Sequence, residues 1–466
     1  MLWKKGAIWN FILARLATSK GYLDPIELFA KLQRFAKPAE VWVPTELLRS
    51  GSILQARGLI NSQAIQHNLD WIWPHWVNHQ FNPRDKAFIP RAFSISHINM
   101  TNRNWTAIGL PDFPEYPLVD PRGLVTPFWD SWSVDGWIMA PDQTSFFPSQ
   151  AENVRQEVEY GANFRIVTTS KSDDANVTLT SHAEVEMAEG IPTCKTVFKA
   201  KAPYKAWLVV CLRPYNPEGV SFIDDIKRLA DDEGWRVNGK NDVHLSHKPS
   251  RYIYSNYHQG DLSQQILLSA VSEPKDEHQI ACPVGMAAVA AVYEIEPHDN
   301  KEITVSIPLS KHPVKTITSW PENLDDQCQL RIPDKLFQYL YEVNLRALVL
   351  HSPGDIFPGP FTYKRFWFRD AAFILYSMMT VGILKNVERI LDLFPERQMP
   401  SGYFRSQDGE WDSNGQALWS MQRYCALTNK TAKPEWFISL TRGAKWINKK
   451  RIFPKHKGPH LSLIHI

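Results

Sequence analysis

The stretch Phe361-Thr-Tyr-Lys-Arg-Phe-Trp-Phe-Arg369-Asp370 ends with a guanidinium and a carboxylate on adjacent residues. Tyr363, Phe366, Trp367 and Phe368 lie just upstream. An Asp that opens a helix is first of all a capping residue, and that reading would satisfy Asp370 on its own. The company it keeps adds a second reading. A carboxylate beside a guanidinium accepts from one hydroxyl and donates to its neighbour, while ring faces stack on the C–H face of a pyranose. The pair therefore suits the vicinal hydroxyls of a terminal sugar. A second stretch runs from Ser401 to Trp419 and carries Asp408, Glu410, Trp411, Asp412 and Asn414. It reads as a Gly- and acid-rich loop feeding a helix, with Trp411 as a sugar platform and Trp419 as a buried packing residue.

Helices are needed to hold these loops. After a polar stretch at 313–333, apolar residues Leu336, Leu340, Val343, Ala347 and Leu350 fall on one face of a helix over 334–350. Further helices are expected over 370–381, 385–394, 413–427 and 435–449, without strands between them. Upstream, from about 86, the pattern is one of short strands separated by turns such as Asp120-Pro-Arg-Gly123. Strands are expected at 92–100, 104–109, 163–169, 176–187, 194–200, 206–212, 266–271, 286–295 and 302–308. So many in about 220 residues argue for a large antiparallel β-sandwich. Residues 1–85 read as an N-terminal helical segment. Asp24 and Pro25 open one helix, and another over 63–77 is interrupted by Pro74.

A chain of 466 residues is too long for one ordinary domain. Lys plus Arg number 52 against 49 Asp plus Glu, a net charge of +3 that excludes a nucleic-acid binder as the simple reading. No run of about 20 apolar residues occurs, so no membrane span is expected. Five scattered cysteines without a Cys-x-x-Cys pair point to reduced thiols, and the N-terminus lacks a signal-peptide cleavage site, so the cytoplasm is expected. With 18 Trp, 15 Tyr and 23 Phe, the chain has rings enough for both large cores and a ring-lined cleft. His75 and His79 have a zinc-compatible spacing, but no carboxylate completes a ligand set and Pro74 breaks the helix. They read as ordinary histidines, as do His244 and His247. No P-loop, dinucleotide fingerprint or Gly-x-Ser-x-Gly elbow occurs, and no cofactor or metal is expected.

The segments "FWFRDAAFIL" and "GEWDSNGQALW" resemble the glucoamylase-like six-hairpin glycosidases, glycoside hydrolase family 15 and bacterial glycogen-debranching-like relatives. "NWTAIG", "VDPRGLVTP" and "WLVVCLRPYNPEGVSFI" resemble the β-sandwich that precedes the barrel in the bacterial members. The resemblance spans about residues 86–460. Beside the helical segment at 1–85, which the resemblance does not cover, it implies a multidomain β + α chain: the sandwich at 86–315, a linker at 316–332, and an incomplete (α/α)6 barrel at 333–460. It also implies that Arg369 and Asp370 grip the innermost sugar beside Trp367, with Trp411, Asp412 and Asn414 at the subsite rim. An inverting hydrolase needs two carboxyl groups about 6.5–9.5 Å apart. The family's two catalytic glutamates lie on later barrel loops, which leaves Glu410 and Asp412 as weak local candidates.

The activity implied is exo-acting release of a terminal sugar, glucose first, from an α-glucan or oligosaccharide. A polysaccharide lyase shares the helical-barrel-plus-sandwich architecture, but usually places the sandwich second and uses Tyr, His and Asn. A non-catalytic glycan-binding protein is the third reading. The tail Leu461-Ser-Leu-Ile-His-Ile466 is what CTG TCT CTT ATA CAC ATC encodes, a transposon end used in sequencing libraries. The expectation is therefore a gene cut short and read into adapter.

Overall fold

The computed structural model describes residues 64–450, except 66, 76, 78–104, 130, 143, 175, 218, 272–276, 315–316, 362 and 408–409. The helix expected after Asp24, the strand expected at 92–100, Asp408, His79 and the tail at 461–466 lie outside the described residues.

Two large antiparallel sheets dominate the first part. One runs in the order Thr106–Ala107, Leu118–Val119, Val125–Thr126, Ser133–Met139, Ala206–Arg213, Ala288–Ile295, Arg251–Ser255, with Ser145–Phe146 paired on Ser133–Met139. The other runs Gln279–Ala281, Asp225–Arg228, Gly234–Val237, Asn241–Leu245, Asn300–Pro308, Ile191–Lys201, Thr178–Ala188, Phe164–Lys171, Asn153–Tyr160. Phe164–Lys171 alternates buried and half-buried residues along its length, as a strand with one face on a core does. Its Phe164 and Ile166 join the same core as Val134, Ile138, Leu208 and Val210 of the first sheet. Gly136 marks how close the sheets come: a Cβ there would lie 2.5 Å from the Phe198 ring, so only Gly fits.

The central strands Ser133–Met139 and Ala206–Arg213 are buried along their whole length. The second sheet covers one face. The other face, with Trp137, Met139, Trp207, Val209 and Cys211, packs against Leu262 and Ile266 of helix α1 (Leu262–Val271) and against Ile72. The strand expected at 266–271 is thus the second half of α1. A short apolar run does not distinguish strand from helix by periodicity. What decides it is upstream: Asp261 accepts the Ser263 N–H at 2.8 Å and opens the helix.

The described part of the N-terminal segment packs into the sandwich. Trp71 and Trp73 are buried and stacked at 6.1 Å, Trp73 meets Tyr215 at 4.6 Å, and the Ile72 N–H donates to Asp261. The stretch expected as a linker holds a short helix, α2 (Trp320–Leu324), opened by a Ser319/Glu322 capping box. Trp320 is fully buried there and donates to the Gly109 carbonyl, which anchors the stretch.

Helices follow from Asp334, whose carboxylate caps α3 (Lys335–Leu350) by accepting from Leu336 and Phe337 N–H. Then come α4 (Phe368–Thr380), α5 (Leu384–Asp392), α6 (Ser413–Thr428) and α7 (Pro434–Lys450), close to the expected spans. The pairing between Gln398 and Phe404 is a single bridge. Contacts tie this helical part to the sandwich. The Val158 N–H donates to Tyr339 Oη, Trp129 Nε1 donates to the Phe361 carbonyl, and Asn386 and Arg389 both donate to Asp112. The two parts share one continuous apolar core.

Candidate functional site

Helices α4 and α6 begin at the same end of the helical part, and their first turns touch. Arg369, in the first turn of α4, donates through Nε to Asp412 Oδ2 and through Nη2 to Asp412 Oδ1, both at 2.8 Å. Asp412 is the residue that precedes α6. This two-point fork holds the two helix starts in register, with more geometric definition than a single ion contact gives. The guanidinium hydrogen bond holds the Asp412 carboxyl below the usual carboxylate range, and its partial burial opposes that only in part. Asp412 is therefore an anion, and the Arg369 side chain remains 56% exposed beside it.

Glu410 lies beneath this pair and is buried. One carboxylate oxygen accepts the Arg369 backbone N–H at 3.0 Å and the other accepts from the Ser406 hydroxyl. Trp367, at the N-cap position of α4, offers no side-chain acceptor, so Glu410 satisfies an early N–H of the helix from another loop. The expected cap at Asp370 is not made. Asp370 is the third residue of the helix and exposed, and its carboxylate accepts no hydrogen bond from a described residue. Its place in the first turn still suits its charge.

The aromatic run resolves into packing and surface. Phe366, Phe368, Phe394 and Phe404 form a buried cluster with edge-on contacts of 4.9–5.8 Å. Trp367, expected to face sugar, is 6% exposed and covered by Tyr363 at 5.7 Å. The exposed rings near the pair are Tyr363 and Trp411, the latter 55% exposed. Trp411 leans on Tyr403, which stacks on Trp446 of α7 at 4.9 Å and 24°. Trp419, read as buried, is exposed and meets the exposed Phe373 and the half-buried Tyr376 of α4.

Asn414, expected at the rim, has no exposed surface and its amide is spent on backbone. Its Oδ1 accepts from the Phe404 N–H, and its Nδ2 donates to the carbonyls of Gly402 and Gly443. It clamps the loop before α6 onto α7 instead of facing a ligand. Gly402 makes the same docking possible: its φ is +92°, and a Cβ would sit 2.5 Å from the Arg442 carbonyl. The structure thus brings Arg369, Asp370, Trp411 and Asp412 to one rim and removes Trp367 and Asn414 from it. Sequence reasoning did not find the capping by Glu410 or the Tyr403–Trp446 stack. The "SGYF" run carried a signal for the docked loop, a Gly immediately before two large rings.

Among the described residues no cluster of His, Cys, Asp and Glu could hold a metal ion. His75 Nδ1 lies 3.2 Å from the Ser149 carbonyl, and His247 pairs with the Ser246 hydroxyl.

No family model matches the sequence, and no curated protein matches it. Solved structures do. A bacterial glucoamylase complexed with acarbose is 11% identical and aligns over 76% of this chain and 60% of its own, with a TM-score of 0.55. The chain therefore spans about three fifths of that enzyme. More distant likenesses are a human-microbiome protein assigned as a kojibiose phosphorylase (5% identity, 68% and 53% covered, TM-score 0.38) and a family GH92 α-mannosidase from Bacteroides thetaiotaomicron (9% identity, 69% and 55% covered, TM-score 0.31). The class is a glycoside-hydrolase-like fold: a β-rich part of large antiparallel sheets followed by a helical part.

Proposed function

We propose that this chain carries the sugar-gripping rim of a glucoamylase-like exo-glycosidase. In this reading α3–α7 are the first hairpins of an (α/α)6 barrel that follows a β-sandwich, and the substrate is an α-glucan or oligosaccharide whose terminal sugar, glucose first, is released. The observation that carries the reading is the exposed Arg369–Asp412 fork at the joint start of α4 and α6, with Asp370 and Trp411 exposed beside it. The fork supplies directional donors, Asp370 an open acceptor, and Trp411 a stacking face.

Neither local acid is assigned the chemistry. A general acid must hold a proton near working pH, and Asp412 is kept ionised by Arg369. Glu410 is buried with both oxygens accepting from structural donors. That commitment also favours a second reading for the chain by itself, glycan binding without turnover. Calorimetric titration with maltohexaose tests the rim. Asp370→Asn should weaken binding about tenfold, because losing a charge-assisted hydrogen bond costs about 1.5–3 kcal/mol, and should leave the melting temperature unchanged. Unaltered affinity would reduce Asp370 to a helix-dipole partner. Release of glucose from maltodextrin by the purified chain would reject the binding-only reading and return Glu410 to candidacy.

A further inference from the structure

One buried carboxylate of the sandwich takes no part in the rim. Asp120 opens the Asp120-Pro-Arg-Gly123 turn between the strands Leu118–Val119 and Val125–Thr126, and it has no exposed surface. Its Oδ1 accepts from the Arg122 N–H at 2.7 Å and from the Leu124 N–H at 3.0 Å. Its Oδ2 is buried and has no hydrogen-bond partner. The Arg122 side chain belongs to the same turn, yet its Nε is also buried without an acceptor, and the two side chains form no hydrogen bond.

The turn is docked on the second sheet. Gln156 Nε2 donates to the Asp120 carbonyl at 2.7 Å and to Thr168 Oγ1 at 2.9 Å. Gly123 has a φ of +90°, and a Cβ there would lie 2.6 Å from Ser181 Oγ. Arg122 and Gly123 line a cavity of about 10 Å³ together with Asp135, Thr168, Ser170 and Ser181, room for about one water. The surroundings are thus polar but mostly neutral. The charged groups that act on Asp120 are Asp135, itself tied to Arg213, and Arg122. A buried carboxylate with one oxygen unsatisfied is costly as an anion. Burial pushes the Asp120 carboxyl up to about 7, the Asp135 charge adds to the rise, and the two backbone N–H groups and Arg122 oppose it only in part.

We propose that Asp120 is a proton-held latch: protonated, it keeps its turn docked on the second sheet, and as an anion it releases the turn. Above neutral pH the folded chain would hold a buried charge whose Oδ2 has no donor, and opening the turn to water relieves that. The hairpin runs on into Phe128 and Trp129, and Trp129 Nε1 donates to the Phe361 carbonyl at the start of the loop that leads to α4. The latch therefore belongs to the junction of the sandwich with the helical part, and it stands independently of the reading of the rim.

The test is infrared difference spectroscopy and hydrogen exchange on the whole chain across neutral pH. A protonated-carboxyl band should persist above the ordinary carboxylate range, fade with a midpoint of about 7, and be missing from Asp120→Asn. The Leu124 amide, which donates to Asp120, should lose protection as the band fades, beyond the intrinsic rise of exchange with pH, and should keep it in Asp120→Asn. The folded chain holds a proton that the unfolded chain has released, so its stability falls as pH rises toward the midpoint. Relative to Asp120→Asn, its folding equilibrium constant should drop about tenfold per pH unit between the ordinary carboxylate range and the midpoint, and level off above it. Arg122→Gln removes the cation that opposes the rise and should move the midpoint up, which keeps the test open if Asp120→Asn does not fold. The latch is overturned by a band absent above the ordinary carboxylate range, by a band that survives in Asp120→Asn, by a midpoint unmoved in Arg122→Gln, or by Leu124 protection that stays level through the midpoint.

Discussion

Two arginine–aspartate groups in this chain use the same chemistry to opposite ends. In the sandwich, Arg213 donates to Asp135 at 3.2 Å, lies 3.8 Å from Asp261, and is held between the rings of Trp137 and Tyr215 at 4.8 and 4.7 Å. All three charged side chains are almost wholly buried. Asp135 also accepts from the Gly136 N–H and Trp137 Nε1, and Asp261 from the Ile72 and Ser263 N–H groups. This group joins the sheet, α1 and the N-terminal tryptophans, and none of it reaches solvent. In the helical part, Arg369 and Asp412 join two helix starts with better hydrogen-bond geometry, yet the arginine side chain keeps more than half its surface. The comparison separates geometry from availability. A fork with good distances is a structural rivet when it is dry and a candidate ligand site when one partner remains wet.

The largest expected effect tests the dry member. Arg213→Met leaves Asp135 and Asp261 buried without a counter-charge, which should cost about 3–5 kcal/mol in chemical denaturation. Burial raises the Asp135 pKa and Arg213 opposes the rise, so removing Arg213 raises it further. The folded variant then holds a proton that the unfolded chain releases, and its stability falls as pH rises above the ordinary carboxylate range. The variant should stand closest to the parent at acidic pH and furthest from it near neutrality. A loss below about 1 kcal/mol, flat with pH, would remove the contrast between the two groups.

A middle effect tests the clamp under the rim. Asn414→Ala strands the Phe404 N–H and two carbonyls in a buried place, and should destabilise the helical part by about 3 kcal/mol. Hydrogen exchange at the Phe404 amide is the direct readout. Slow exchange retained together with lost sugar binding would restore Asn414 to the ligand-facing role that the sequence resemblance implied.

The smallest effect belongs to the wet member. Asp412→Asn breaks an ion pair whose arginine is largely solvated, and should cost no more than about 1 kcal/mol of stability. Maltohexaose affinity should fall further than stability does, because Arg369 then loses its fixed orientation. Stability lost without any change in affinity would make the fork a rivet like its counterpart in the sandwich.

Elements built from near neighbours were legible. The helices near 334–350, 370–381 and 413–427 come from patterns within a few residues. So do strands such as Phe164–Lys171 and Ile191–Lys201. The face read as apolar in the first of those helices is not the buried one: Leu336 and Leu340 are exposed, and Leu345, Val349 and Leu350 carry the burial. The strands Ser133–Met139 and Asn153–Tyr160 were less legible: the first is buried on both faces and does not alternate, while the second is largely polar. The short run around Ile266 was ambiguous for want of length, and its helical state depends on Asp261 and on the sheet face it covers.

For the candidate site, the sequence by itself determined that both stretches open helices, since acids, glycines and ring runs act locally. Only the tertiary structure decided that Arg369 takes Asp412, 43 residues away, as its partner and leaves its neighbour Asp370 free to face solvent. It also decided that Glu410 caps α4 from another loop, that Asn414 is consumed by backbone, and that Trp367 is covered while Trp411 is open. Burial and ion pairing depend on which segments the fold brings together, and spacing along the chain does not carry that information. The same holds for the two aspartates around Arg213, which lie 78 and 48 residues from it in sequence and within 4 Å in space.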